Sequence, residues 1–131
     1  MFQASKKTQY GLRAMVCLSK GFSKRQVLPL REVSRAEGIP FRFLEKIMSA
    51  LEKAGLIKAK KGAGGGYSLA KAPAKIRVLE IMEAIEGKIV PAGCAFCGKA
   101  GRCLSKSVWQ KIQKSLNNTL KSITLADLIK K

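Results

Sequence analysis

The chain has 131 residues, 47% of them hydrophobic, which suffices for the core of one compact domain, or one domain plus a dimerisation arm, and argues against disorder. Its 26 lysines and arginines against 8 acidic residues give a formal charge of +18, concentrated in residues 1–76 (16 basic, 4 acidic) rather than 77–131 (10 and 4). There is no histidine, so the commonest general base and nitrogen ligand are both missing, no nucleophile–base pair stands out, and an enzyme is not the reading.

A polyanion is the natural partner of such a charge, because phosphate contacts dominate nucleic-acid affinity. Solubility, or attraction to a membrane surface, is the blander account. No apolar run approaches the roughly 18 residues of a membrane span, and the opening MFQASKKTQYG lacks a signal-peptide core. The chain is therefore expected in the cytoplasm, where its four cysteines are reduced thiols or metal ligands rather than disulfides.

In chain order, residues 6–20 read as a helix with Gly11, Ala14, Met15 and Leu18 on one face and Cys17 beside it. Leu28-Pro29 opens a short second helix that turns Leu30 and Val33 inward and ends at Gly38. After Ile39-Pro40 a third helix places Leu44, Ile47, Met48 and Leu51 at i, i+3, i+4, i+7, a core stripe, and stops at Gly55. Its other face presents Arg42, Glu45, Lys46 and Ser49 at the same spacing. Arginine forks onto guanine and glutamate accepts from the cytosine amino group, although such a row is also what an ordinary solvated helix face looks like. A hairpin then pairs Leu56–Lys60 with Tyr67–Ala70 through Lys61-Gly62-Ala63-Gly64-Gly65-Gly66. Lys58, Lys60 and Lys61 would meet phosphates, and Gly64 and Gly65 would let the backbone approach a groove. A nucleotide-cradling loop fails, because no helix opening with Lys-Ser/Thr follows.

Ala72-Pro73-Ala74 breaks the chain, and IRVLEIMEAIEG forms a helix with Ile76, Leu79, Ile81, Met82 and Ile85 apolar. A loop leads to a long helix whose Leu104, Val108, Ile112, Leu116 and Leu120 form an i+4 row. A lone helix with that row calls for a partner, and a symmetric dimer is the simplest. Thr124 to Asp127 resembles a capping box opening a last short helix. The expected fold is mainly α: a winged helix-turn-helix with a two-stranded wing over residues 1–75, then a cysteine loop and dimerisation helices over 76–131. In such a unit the second helix of the pair enters the major groove and the wing reaches the neighbouring backbone or minor groove.

Cys94, Cys97 and Cys103 lie as C-x2-C-x5-C among small residues, with Lys99 and Arg102 to favour thiolates. Three thiols so close point to a metal, and both zinc and iron–sulfur accept them. Cys17 is the one spare thiol, in a setting that favours a core residue.

With these segments together, the chain resembles the Rrf-type family of winged-helix bacterial regulators. The likeness runs through KKTQYGLRAMV, FLEKIMSALEKAGLIKAKKGAGGGYSLAK, IRVLEIMEAIEG, the three-cysteine loop, CLSKSVWQKIQKSL and SITLADLI. It implies a homodimer with crossing long helices (about 104–121), binding double-stranded DNA at a pseudo-palindromic operator whose half-sites lie about one turn apart. It further implies that Arg42 and Glu45 stand at base-reading positions, that Lys61 is the wing residue entering the minor groove, and that Cys94, Cys97 and Cys103 hold a 2Fe–2S or 4Fe–4S cluster. The chain departs from relatives in a shorter first cysteine gap, in Lys106 where some place a histidine ligand, and in Gln9 where others place an aspartate. The fourth ligand is left among Gln9, a Ser105 or Ser107 hydroxyl, water or a small thiol. The expected function is a DNA-binding regulator sensing redox, iron–sulfur or nitric-oxide status through that cluster. The alternatives are a cluster-free regulator with a thiol/disulfide switch and a basic RNA-binding protein with a zinc loop.

Overall fold

A computed structural model describes residues 3–88 and 105–129. Cys94, Cys97, Cys103 and Leu104 lie outside the described residues.

Helix α1 spans Lys6–Lys20 and is capped by Ser5, whose Oγ accepts from the Thr8 amide at 3.1 Å. Glu86 Oε1 accepts from the hydroxyls of Ser5 and of Thr8, the latter at 3.2 Å. A carboxylate therefore sits at the positive end of the α1 dipole. The expected stripe of Gly11, Ala14, Met15 and Leu18 is buried. A Cβ on Gly11 would stand 2.1 Å from Ile85 Cδ1, so the bare glycine lets α4 (Val78–Glu86) lie close.

The helix pair follows as α2 (Leu30–Glu37) and α3 (Phe41–Lys53). Gly38 turns the chain at φ 66°, and Ile39 behind it is buried. Ser34 locks the corner: its Oγ donates to the Ile39 carbonyl at 2.5 Å, and its own carbonyl accepts the Ile39 amide at 3.1 Å. Arg13 braces the same corner from α1, donating to the Glu37 carbonyl, pairing with its carboxylate at 3.5 Å and lying 5.7 Å from the Tyr10 ring centroid. Tyr10 meets Phe43 edge-on at 5.5 Å.

Strands β1 (Ile57–Lys60) and β2 (Gly66–Leu69) pair antiparallel, with Ile57 opposite Leu69 and Lys60 opposite Gly66. The pairing continues as Ala70 N donates to Leu56 O at 3.0 Å. Leu28, just ahead of α2, exchanges backbone hydrogen bonds of 2.9 and 2.8 Å with Tyr67, an antiparallel bridge beside the two-stranded wing. Pro29 is the reason, since a residue before proline is driven into extended conformation.

Beyond a short 3-10 turn at Pro73–Lys75 come α4, α5 (Lys106–Ser122) and α6 (Leu125–Ile129). The capping box is present: Thr124 N donates to Asp127 Oδ2 at 3.0 Å and Asp127 N to Thr124 Oγ1 at 3.3 Å. The segment after α5 returns to pair with the segment before α4. Val78 N donates to Ile123 O and Leu125 N to Ile76 O, each at 2.9 Å, while Arg77 Nη1 donates to Lys121 O at 2.6 Å. These bonds pin the C-terminal end of α5 to the body. One core runs through the molecule, joining Met15, Leu44, Ile47 and Met48 to Ile76, Ile81 and Leu125. No helix among the described residues is long and apolar enough to cross a membrane.

Candidate nucleic-acid interface

The face of α3 follows from its buried stripe. Leu44, Ile47, Met48 and Leu51 are fully buried. A shift of two residues turns a helix by about 200°, so Arg42, Glu45, Lys46 and Ser49 are exposed as a matching row on the opposite side. Among the described residues the ion pairs are Arg13–Glu37 and Lys71–Glu80, so the charges of this row are not engaged with one another. Phe41, also exposed, stands at the start of the same helix.

The wing tip is built by glycines. Gly62 and Gly64 have φ of 92° and 74°, conformations that disfavour side chains, and Gly65 N closes the turn on Gly62 O at 2.9 Å. Gly65 is small for an internal reason, because a Cβ there would lie 2.2 Å from the Lys60 carbonyl oxygen. Lys58, Lys60 and Lys61 are exposed. The register separates them from the core side: Lys58 pairs with Ser68, whereas Ile57 and Leu69 face inward.

Tyr67 is half-buried against the core, and its backbone pairs with Leu28. Burial pushes its phenol up, and the carboxylates of Glu52 and Glu45 push it further. The only hint in the sequence was an aromatic residue directly after the glycine run.

Elsewhere, α5 buries none of its residues; Val108 is 51% and Leu116 37% exposed, and Ile112 and Leu120 are half-buried in the same row. Of the candidate fourth ligands, Gln9 is exposed on α1 and donates Nε2 to Ala4 O at 2.8 Å, and Ser105 and Ser107 are exposed at the start of α5. Cys17 is half-buried against the core, and burial raises its thiol. Among the described residues no cluster of three His, Cys, Asp or Glu side chains is placed to hold a metal ion.

Comparison with known proteins agrees with this geometry. The family model Rrf2, described as iron-dependent transcriptional regulator, matches residues 4–131. The HTH-type transcriptional regulator IscR of Vibrio atlanticus (strain LGP32) is 32% identical over 127 residues, covering 95% of this chain and 73% of that protein. Among solved structures, T. potens IscR superposes with a TM-score of 0.81 at 35% identity, covering 98% of this chain and 86% of that one. CymR (YrzC), the global cysteine regulator of B. subtilis, superposes with a TM-score of 0.81 at 32% identity, covering 98% and 96%. These relatives are transcriptional regulators rather than enzymes. A winged helix-turn-helix carrying an open polar row on its second helix, matched along nearly its whole length by such regulators, belongs to the Rrf2 family of transcriptional regulators.

Proposed function

We propose that the chain is a cytoplasmic, homodimeric regulator that binds a pseudo-palindromic DNA operator and senses redox, iron–sulfur or nitric-oxide status through an iron–sulfur cluster. The observation that carries the DNA reading is the row of Arg42, Glu45, Lys46 and Ser49, exposed and not paired internally, beside a basic wing. Arg42 and Glu45 read base edges, Lys46 and Ser49 support them, Lys58 and Lys60 meet phosphates, and Lys61, Gly64 and Gly65 form the tip that enters the minor groove. The row of Val108 and Leu116, exposed, with Ile112 and Leu120, half-buried, supports a dimer through α5, with Leu104 extending it. Residues 1–75 then act as the DNA-binding part and 76–131 as the sensing and dimerising part, over a shared core. Family membership favours DNA over the RNA-binding alternative.

Cys94, Cys97 and Cys103 supply the thiolates that an iron–sulfur cluster takes, within ten residues of sequence. The fourth position falls to Gln9, Ser105, Ser107, water or a small thiol. When bound, the cluster supplies a centre that oxidation, nitrosylation or loss alters. The likeness to CymR, which from Staphylococcus aureus has been solved in an oxidised form, favours a second reading, a cluster-free thiol/disulfide switch.

Anaerobic purification with iron, sulfide and zinc counted per chain, followed by selection from random duplex DNA, tests both parts. The expected result is matched iron and sulfide, a selected palindrome, and relaxed base preference in Arg42→Ala and Glu45→Ala, at about 1–3 kcal/mol per lost base contact. A metal-free chain that still selects a palindrome leaves the thiol switch. A chain that prefers RNA, or no sequence, overturns base reading by Arg42 and Glu45.

A further inference from the structure

A groove of ≈640 Å³ lies on the wing, walled on one side by residues 22–27 and on the other by the two strands. The wall is a folded turn. Lys24 N and Gln26 N donate to Gly21 O at 3.2 and 3.1 Å, and Arg25 N donates to Phe22 O at 3.0 Å. Gly21 leaves room for Gln26, whose Oε1 would lie 2.6 Å from a Cβ added there. Arg25 holds φ 52°, the one non-glycine residue with positive φ among the described residues. That conformation disfavours a side chain, yet an arginine occupies it.

Three cations line the groove, Arg25, Lys58 and Lys60, and no acidic residue does. Phe22, Val27 and Leu69 add apolar surface between them. The lining runs along the strands to Ser68, Leu69 and Ala70 at the base of the hairpin and does not include the Gly62–Gly65 turn. A DNA backbone passing the wing tip and reaching Lys58 and Lys60 would leave the part walled by Arg25, Phe22 and Val27 open. The volume falls in the range of small-molecule sites, and a guanidinium fork matches the planar oxygens of a carboxylate or a phosphate.

We infer that this groove binds a small organic anion, a carboxylate or phosphate monoester carried on a short apolar body. Arg25 forks onto the anionic head, Lys58 and Lys60 neutralise it, and Phe22 and Val27 cover the body. Occupancy draws two lysines of the wing onto the ligand, so the bound form holds DNA less tightly. That consequence rests on the proposed DNA binding, whereas the binding of the anion itself does not.

The test is a titration of the uniformly 15N-labelled full chain at fixed ionic strength with benzoate, phenyl phosphate, the neutral isostere benzamide and inorganic phosphate. Saturable amide shifts confined to 22–27, 58–60 and 68–70 are expected with benzoate or phenyl phosphate, and the better of the two identifies the head group. Benzamide and inorganic phosphate should bind about tenfold more weakly or worse, as should either anion to Arg25→Gly. Glycine suits the backbone at position 25, so the variant keeps the turn and removes only the fork. Benzamide binding as well as benzoate, inorganic phosphate binding as well as phenyl phosphate, or shifts indifferent to Arg25→Gly would each overturn the site. A ligand that binds as expected without changing affinity for the selected duplex would leave the site standing and remove its link to DNA.

Discussion

Replacing Gly66 by alanine should loosen the wing from the body of the protein. A Cβ at this position would lie 2.2 Å from the Leu28 carbonyl oxygen, 2.4 Å from its carbon and 2.6 Å from Pro29 N, all backbone atoms with no rotamer to yield. Ordinary contact requires the two segments to part by about 1 Å, which strains or breaks the paired 2.8 and 2.9 Å hydrogen bonds between Leu28 and Tyr67. Two lost bonds at about 1 kcal/mol each, with an overpacking cost of about 1–3 kcal/mol, put the loss at roughly 3–5 kcal/mol. That is a large share of the ~5–15 kcal/mol available to a domain. Gly64→Ala is the control, because Gly64 has φ 74° and nothing within 4 Å of an added Cβ, leaving only the left-handed cost of about 1–2 kcal/mol. Urea denaturation of both variants at equilibrium separates the two effects. If Gly66→Ala loses no more stability than Gly64→Ala, the pairing with Leu28 does not hold the wing.

Lys61→Ala should weaken operator binding and lower the slope of log affinity against log salt by about one unit; an unchanged slope takes Lys61 off the DNA. Val108→Glu combined with Ile112→Glu should give folded monomers in sedimentation velocity, and intact dimers would place the interface elsewhere than α5. The Cys17 thiol is raised by burial first and by Glu37 second, against an opposing effect of Lys20. A raised value means less thiolate at neutral pH, so iodoacetamide should label Cys17 more slowly in the folded chain than in urea. The gap should narrow as pH rises through the folded value; equal rates at neutral pH, followed by mass spectrometry, would contradict that environment.

Periodic and punctuated features are legible in the sequence. The bounds of α1, the buried stripe of α3 and the Thr124–Asp127 box each follow from residues within a few positions of one another. Of the apolar residues of α4, Leu79, Ile81 and Ile85 are buried and Met82 is half-buried. What escapes such reading are single-residue or distant contacts. A single-residue bridge at Leu28 has no period to detect, Ile39 enters the core from a turn, and the Arg77–Lys121 hydrogen bond joins positions 44 apart. Likewise, the acidic neighbours of Tyr67 and the cationic wall at Arg25 depend on how the wing folds back, which no local pattern encodes.

The pinning of α5 at one end gives it the mechanics of a lever. Its 17 residues span about 25 Å, with the pivot at Lys121–Leu125, where Arg77 and the two backbone bonds hold it. A tilt of about 10° at that pivot carries the Ser105 end through roughly 4 Å. The chain reaches that end directly from the segment carrying Cys94, Cys97 and Cys103. A displacement of about 4 Å there thus corresponds to a turn of about 10° where α5 meets the rest of the fold.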